Sequence, residues 1–92
     1  MTPVVVTAKV EDVTKWEEWL RTHGKHFKNM GVTSPIGIAI NDGNEVAVYF
    51  EPAAVGKFMS QLDTPENAAA MERTGVKKDT VKVYVMDRTF QP

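Results

Sequence analysis

Four short runs rich in β-branched residues constrain this chain more than any other feature: Val4 to Val10, Ile36 to Ile40, Glu45 to Phe50 and Thr80 to Met86. Each has one alternating set that is strongly apolar, namely Val4/Val6, Ile36/Ile38/Ile40, Val46/Val48/Phe50 and Val81/Val83/Val85. Period-two apolarity puts a whole set on one face of a sheet, so these sets are expected to face a layer of helices. Punctuation between the runs sets the order of elements. Asp12 or Thr14 opens a helix, with the capping-box spacing of Thr14 and Glu17, and that helix is expected to run to Met30 and stop at Gly31. Asn41-Asp42-Gly43-Asn44 is a turn that folds the third run back on the second. Pro52 ends the third strand, Val55 to Leu62 reads as a short helix, and Asp63-Thr64-Pro65 breaks it. Thr64 as N-cap with Pro65 at the first helical position opens another helical piece, which Gly75 ends. The last strand, from Thr80, has Phe90 as its outer limit. The predicted fold class is therefore α+β, a ferredoxin-like βαββαβ arrangement with a four-stranded antiparallel sheet and helices on one face.

The opposite strand positions are a mixed set: Val5, Thr7, Lys9, Ala39, Ala47, Tyr49, Glu51, Lys82, Tyr84 and Met86. That face is too apolar for a wholly solvated sheet and too polar for an ordinary core, and a second copy of itself is the expected cover. Length points the same way. The 92 residues fit one domain over 1–92 with no linker-like stretch, and a chain of this size has a modest core. The absence of cysteine removes disulfides and thiolate metal sites as reinforcement, which leaves oligomerisation. A homodimer joined through the open sheet face is predicted.

A formal net charge of -1 leaves no electrostatic footprint for nucleic acid or an anionic membrane. No apolar run approaches the roughly 20 residues that span a bilayer, and no basic segment precedes Val4. The expectation is a soluble, cytoplasmic protein.

The first helix carries the candidate site. Val13, Trp16, Leu20, His23, Phe27 and Met30 recur at spacings of three and four and form one stripe of a continuous helix. His23 falls near the middle of that stripe, with Trp19 and His26 together on its border. Gly24, at a cost of roughly 1 kcal/mol relative to alanine, suggests either a close backbone approach or a local bend. His23 reads either as a buried neutral imidazole bonded to a backbone carbonyl or as a general acid/base in a dry pocket, its titration lying near neutral pH. Trp16 and Trp19 are core and rim aromatics able to stack on a flat ligand. His23 and His26 have HxxH spacing but no third ligand is evident, so no metal is expected. No nucleophile elbow, P-loop or GxGxxG occurs. The third strand lacks the basic-Gly-aromatic signature of an RNA-recognition module.

A resemblance adds to this reading. It rests on Val10-Glu11-Asp12-Val13-Thr14-Lys15-Trp16, on His23 seven residues after Trp16, and on Gly31-Val32. It continues in Asn44 to Glu51, in Leu62-Asp63-Thr64-Pro65-Glu66, in Ala70-Met71 and in Gly75-Val76. In these segments the chain resembles the dimeric α/β-barrel superfamily, in particular its small antibiotic-biosynthesis-monooxygenase-like and cyclase-like members. The resemblance implies a dimer whose two four-stranded sheets close into a barrel, with helices outside and ligands held between sheet and helices. It also implies that His23 lies on the pocket side. Where relatives often carry Ala-Pro after that histidine, this chain has Gly24-Lys25. The activity implied is that of a small cofactor-independent enzyme, a cyclase, isomerase or monooxygenase, acting on a hydrophobic aromatic or polyketide-like molecule. His23 is its expected general acid/base, Trp16, Trp19, His26, Phe27 and Phe50 its expected substrate-binding residues, and no cofactor is expected. Two alternatives stand beside it: a non-catalytic small-molecule-binding or stress-related dimer in which His23 is structural, and a haem or metal binder using His23 or His26.

Overall fold

The computed structural model describes residues 2–92. Its sheet is built from β1 (Val4–Lys9), β2 (Gly37–Asn41), β3 (Glu45–Phe50) and β4 (Lys82–Val85), in the order β2-β3-β1-β4 with every neighbouring pair antiparallel. β1 and β2 therefore run parallel with β3 between them, which is the split-βαβ arrangement expected. Four helices, α1 (Val13–Thr22), α2 (Gly24–Asn29), α3 (Val55–Leu62) and α4 (Pro65–Arg73), complete the fold. Among the described residues no helix is long and apolar enough to cross a membrane.

Strand parity comes out as the alternation requires on β1 and β3, whereas Ile40, Val83 and Val85 of the edge strands β2 and β4, expected to face the helices, are exposed because no helix reaches far enough to cover them. Val4 pairs with Phe50 and Val85, Val6 with Val48 and Val83, and Ala8 with Val46, so one face carries a continuous apolar floor. Val4, Val46, Val48 and Phe50 on that floor are buried with Trp16, Phe27 and Phe58 from the helices and with Met30 just past α2. Phe50 lies between Phe27 (ring centroids 5.6 Å) and Phe58 (5.1 Å), and Phe58 is fully buried. The other face holds Tyr49, Tyr84 and Met86, all exposed. There Tyr49 sits against Gly37, where a Cβ would approach the Tyr49 Cβ to 3.1 Å. Desolvation, then the neighbouring Glu51 carboxylate, raises the Tyr49 phenol above its ordinary pKa.

The caps explain most boundaries. Asp12, not Thr14, caps α1, its carboxylate accepting from the Lys15 N–H at 3.1 Å. Thr64 caps α4 by accepting from the Asn67 N–H, Pro65 follows it, and Gly75 leaves the helix at φ +78°. The β2–β3 connection is a 3₁₀ turn over Asp42–Asn44 with Gly43 at φ +74° and Asn44 at φ +59°, conformations that glycine and asparagine adopt most readily.

Two expectations are corrected. The single helix from residue 13 to Met30 is two helices, because His23 departs from helical geometry at φ -117°, ψ 37°. Two side chains there compete for the carbonyls of the last turn. The Thr22 hydroxyl donates to Glu18 O (2.9 Å) and approaches Trp19 O (3.2 Å), while His23 Nδ1 lies 2.9 Å from Trp19 O. Such local bonds offer the backbone an alternative to continuing its ladder. Gly24 then opens α2 with free space where a Cβ would stand, so it marks the bend and no close approach. The last strand stops at Val85, short of Met86 and Phe90. Met86 N–H donates to Pro3 O at 2.9 Å, and proline offers no N–H with which the ladder could continue.

Candidate functional site

A cavity of about 450 Å³ lies between the apolar floor of the sheet and the helices. Its floor is Val6, Ala8, Val46, Val48 and Phe50, with Val81 and Val83 toward the β4 edge. Trp16, Trp19 and Leu20 of α1, Phe27 of α2, and Met59, Ala70 and Met71 of α3 and α4 close it from the other side. The size and apolar character suit a ring system of two or three fused rings.

Besides the indole N–H groups of Trp16 and Trp19, four of its lining side chains are polar: His26, Asp63, Asn67 and Thr74. The Thr74 hydroxyl is engaged with its own helix, near Ala70 O (3.1 Å) and Met71 O (3.0 Å). Asn67 is buried at the first turn of α4, and its Nδ2 donates to Leu62 O at 3.0 Å. A carbonyl oxygen only accepts, so this contact fixes the amide orientation and turns Oδ1 toward His26 Nε2, 3.3 Å away. Oδ1 also only accepts, so Nε2 carries the proton of the neutral imidazole. Nδ1 is then the lone-pair nitrogen. It has no hydrogen-bond partner among the described residues, and since every sealed side-chain nitrogen and oxygen there has one, Nδ1 is reachable from outside the protein. The ring itself is held edge-on between Trp19 (centroids 5.6 Å) and Phe27 (5.3 Å).

The expected site residues divide. Trp16, Trp19, His26, Phe27 and Phe50 all line the cavity. His23, expected on the same stripe, does not: it is exposed and lies outside the lining. The break after Thr22 takes it out of helical phase, and its ring stacks flat on Trp19 at 4.3 Å and 10°. Its Nδ1 donates to Trp19 O, so its place in the structure is that of a helix-ending side chain. The half-buried border position expected for His26 is the one observed. Asn67 went unrecognised in the sequence, although a signal existed. Asn67, Ala70, Met71 and Thr74 recur at helical spacing, and a polar residue within an apolar stripe was the pattern that drew attention to the first helix. Among the described residues no cluster of His, Asp or Glu side chains is placed to hold a metal ion.

Comparison with known proteins gives a consistent fold. No family model matches the chain, and no curated protein matches it in sequence. Among solved structures it is similar to SnoaB, a cofactor-independent oxygenase from Streptomyces nogalater, with a TM-score of 0.68 and 12% identity over 98% of this chain and 94% of that one. It is also similar to a putative antibiotic biosynthesis monooxygenase from Deinococcus radiodurans (TM-score 0.65, 10% identity, 100% and 96% covered). A dimeric ferredoxin-like protein from an uncultured marine organism has a TM-score of 0.56 at 11% identity, with 99% and 91% covered. The ferredoxin-like fold is thus shared along nearly the whole chain.

Proposed function

We propose that the protein binds a hydrophobic aromatic or polyketide-like molecule in the cavity between sheet and helices and transforms it without a cofactor, with His26 as general base. One observation carries this reading: the chain from Leu62 O through Asn67 holds His26, with one ring nitrogen unpartnered, at the wall of a largely apolar cavity. A neutral imidazole lone pair within reach of a bound substrate can accept a proton from it. Proton removal is the shared first step of cyclisation, isomerisation and oxygenation of such substrates. For oxygenation the deprotonated ring carbon reduces dioxygen, a ring CH₂ becoming C=O with release of water. The likeness of the fold to a protein named as a cofactor-independent oxygenase supports this class of reaction. His23 takes no part in the chemistry in this reading.

Anthrone is a suitable probe, because it is apolar, loses a ring proton readily and yields anthraquinone with one dioxygen consumed. Oxygen uptake and anthraquinone formation are expected above background with the wild type, falling by about 10²–10⁴-fold in His26→Ala and little in His23→Ala. Wild-type turnover by His26→Ala overturns the assignment. A second reading, binding without turnover, is favoured by one feature. The Thr74 hydroxyl and Asn67 amide are already engaged, so the lining holds no free hydroxyl or amide donor for a developing oxyanion. Saturable anthrone binding with no oxygen uptake selects that reading.

We also propose that two copies associate through the open sheet face. Tyr49, Tyr84 and Met86 are 37%, 51% and 47% exposed there, an aromatic patch of the kind that marks interfaces. A structure of the same fold is named as dimeric. Sedimentation equilibrium is expected to return twice the 10.3 kDa chain mass, and Tyr84→Glu to return the chain mass. A wild-type monomer at high concentration overturns the association.

A further inference from the structure

We propose that Asn67 is a positioning residue that locks His26 in its Nε2–H form, and that with Asp63 it makes the polar corner of the cavity an acceptor-only site. Such a corner selects ligands that carry a hydrogen-bond donor and rejects anions. The inference rests on the cavity being the binding site, and it concerns which polar group a ligand can present there.

The lock follows from the order of acceptors and donors. Leu62 O receives the Asn67 amide N–H₂ at 3.0 Å, so Asn67 Oδ1 is left to receive the His26 Nε2–H at 3.3 Å. The imidazole's remaining nitrogen has only a lone pair to offer while the ring is neutral. Asp63 directly follows Leu62, the residue whose carbonyl orients Asn67, and lines the same cavity. Asp63 is exposed at the rim and is the only Asp, Glu, Lys or Arg among the lining residues. It makes no ion pair among the described residues. Of the polar groups besides the indole N–H of Trp16 and Trp19, His26 offers a lone pair and Asp63 a carboxylate, while the side-chain donors of Asn67 and Thr74 are engaged within the protein. A ligand hydroxyl or amine satisfies this corner. An ether or ketone oxygen leaves it unpaired, and a carboxylate meets Asp63 with no Lys or Arg in the lining to offset the repulsion.

Two measurements test the proposal, both at a pH well above the ordinary imidazole value of about 6.5. The first is long-range ¹H–¹⁵N correlation of the histidine side chains. His26 is expected as a single Nε2–H tautomer in the wild type and in Asn67→Asp, whose carboxylate also accepts, and as a mixture of tautomers in Asn67→Leu. A wild-type Nδ1–H tautomer, or a mixture, overturns the lock. The second is calorimetric titration of the wild type with three probes of one shape: 2-naphthol, 2-methoxynaphthalene and 2-naphthoate. 2-Naphthol is expected to bind about tenfold more tightly than 2-methoxynaphthalene, the factor expected for one net hydrogen bond, and 2-naphthoate more weakly than both. Asp63→Asn, an exposed change that leaves Asn67 in place, is expected to raise 2-naphthoate affinity several-fold relative to 2-naphthol, and an unchanged ratio overturns the part assigned to Asp63. Equal affinities for the three probes overturn the acceptor-only corner while leaving the cavity as the binding site. Failure of all three to bind overturns both.

Discussion

Filling the cavity from its helical wall separates a real binding space from a loosely drawn gap, because the two predict opposite signs. Ala70 lies on α4, is only 5% exposed and lines the cavity. Ala70→Leu adds three carbon groups that project into apolar space. At about 0.8 kcal/mol for each buried group the gain is roughly 2.4 kcal/mol. Leucine loses roughly 0.5–1 kcal/mol of rotamer freedom on burial, so a net stabilisation of about 1.5 kcal/mol is expected. For a domain of this size that raises Tm by roughly 6–12 °C. The added side chain also occupies space that a ring system needs, so affinity for 2-naphthol is expected to fall at least tenfold. Urea denaturation gives the first quantity and calorimetry the second. If the space is not open in solution, the same substitution overpacks the core and destabilises by about 1–3 kcal/mol. A destabilised variant, or one that binds 2-naphthol as the wild type does, would refute the assignment of the cavity as the binding site.

Other outcomes follow from single contacts. Phe58→Ala removes a fully buried ring packed 5.1 Å from Phe50, and a loss of about 3–5 kcal/mol is expected in chemical denaturation. The two helix-boundary glycines are expected to respond in opposite directions. Gly24→Ala meets nothing and has no positive φ to resist it, so a gain of about 0.4–1 kcal/mol is expected. Gly75→Ala faces φ +78° and a Glu11 Cβ at 3.2 Å, so a loss of about 1–2 kcal/mol is expected. His23→Ala removes the ring stacked on Trp19 and its bond to Trp19 O. A modest loss, about 0.5–1.5 kcal/mol, is expected with probe affinity unchanged, and a large drop in probe affinity contradicts the placement of His23 outside the cavity.

The layer architecture was legible because strand parity depends on nothing beyond the strand. Val46, Val48 and Phe50 alternate with Glu45, Ala47 and Tyr49 whatever their neighbours, and any sheet containing them must sort the two sets onto two faces. The α3–α4 junction was legible for a similar reason: Thr64 and Pro65 act on their own backbone within one turn. Trp16, Trp19, His26 and Phe27 line the cavity because they stay on the inward side even after the first helix breaks, and Phe50 because strand parity puts it on the floor. Three things lay beyond local pattern. A continuous helical phase put His23 in the stripe, whereas Thr22 and His23 bonding back to the carbonyls of Glu18 and Trp19 ended that phase. The end of β4 depends on Pro3, which becomes its partner only once β1 and β4 are side by side. The protonation of the candidate base depends on Asn67, 41 residues from His26 in sequence. Apolar periodicity by itself thus determined which strand face turns toward the helices, since side-chain direction alternates residue by residue. Which nitrogen carries a proton, and which histidine meets the cavity, only the tertiary structure decided, because a hydrogen bond needs two particular groups within about 3 Å and periodicity carries no such distance.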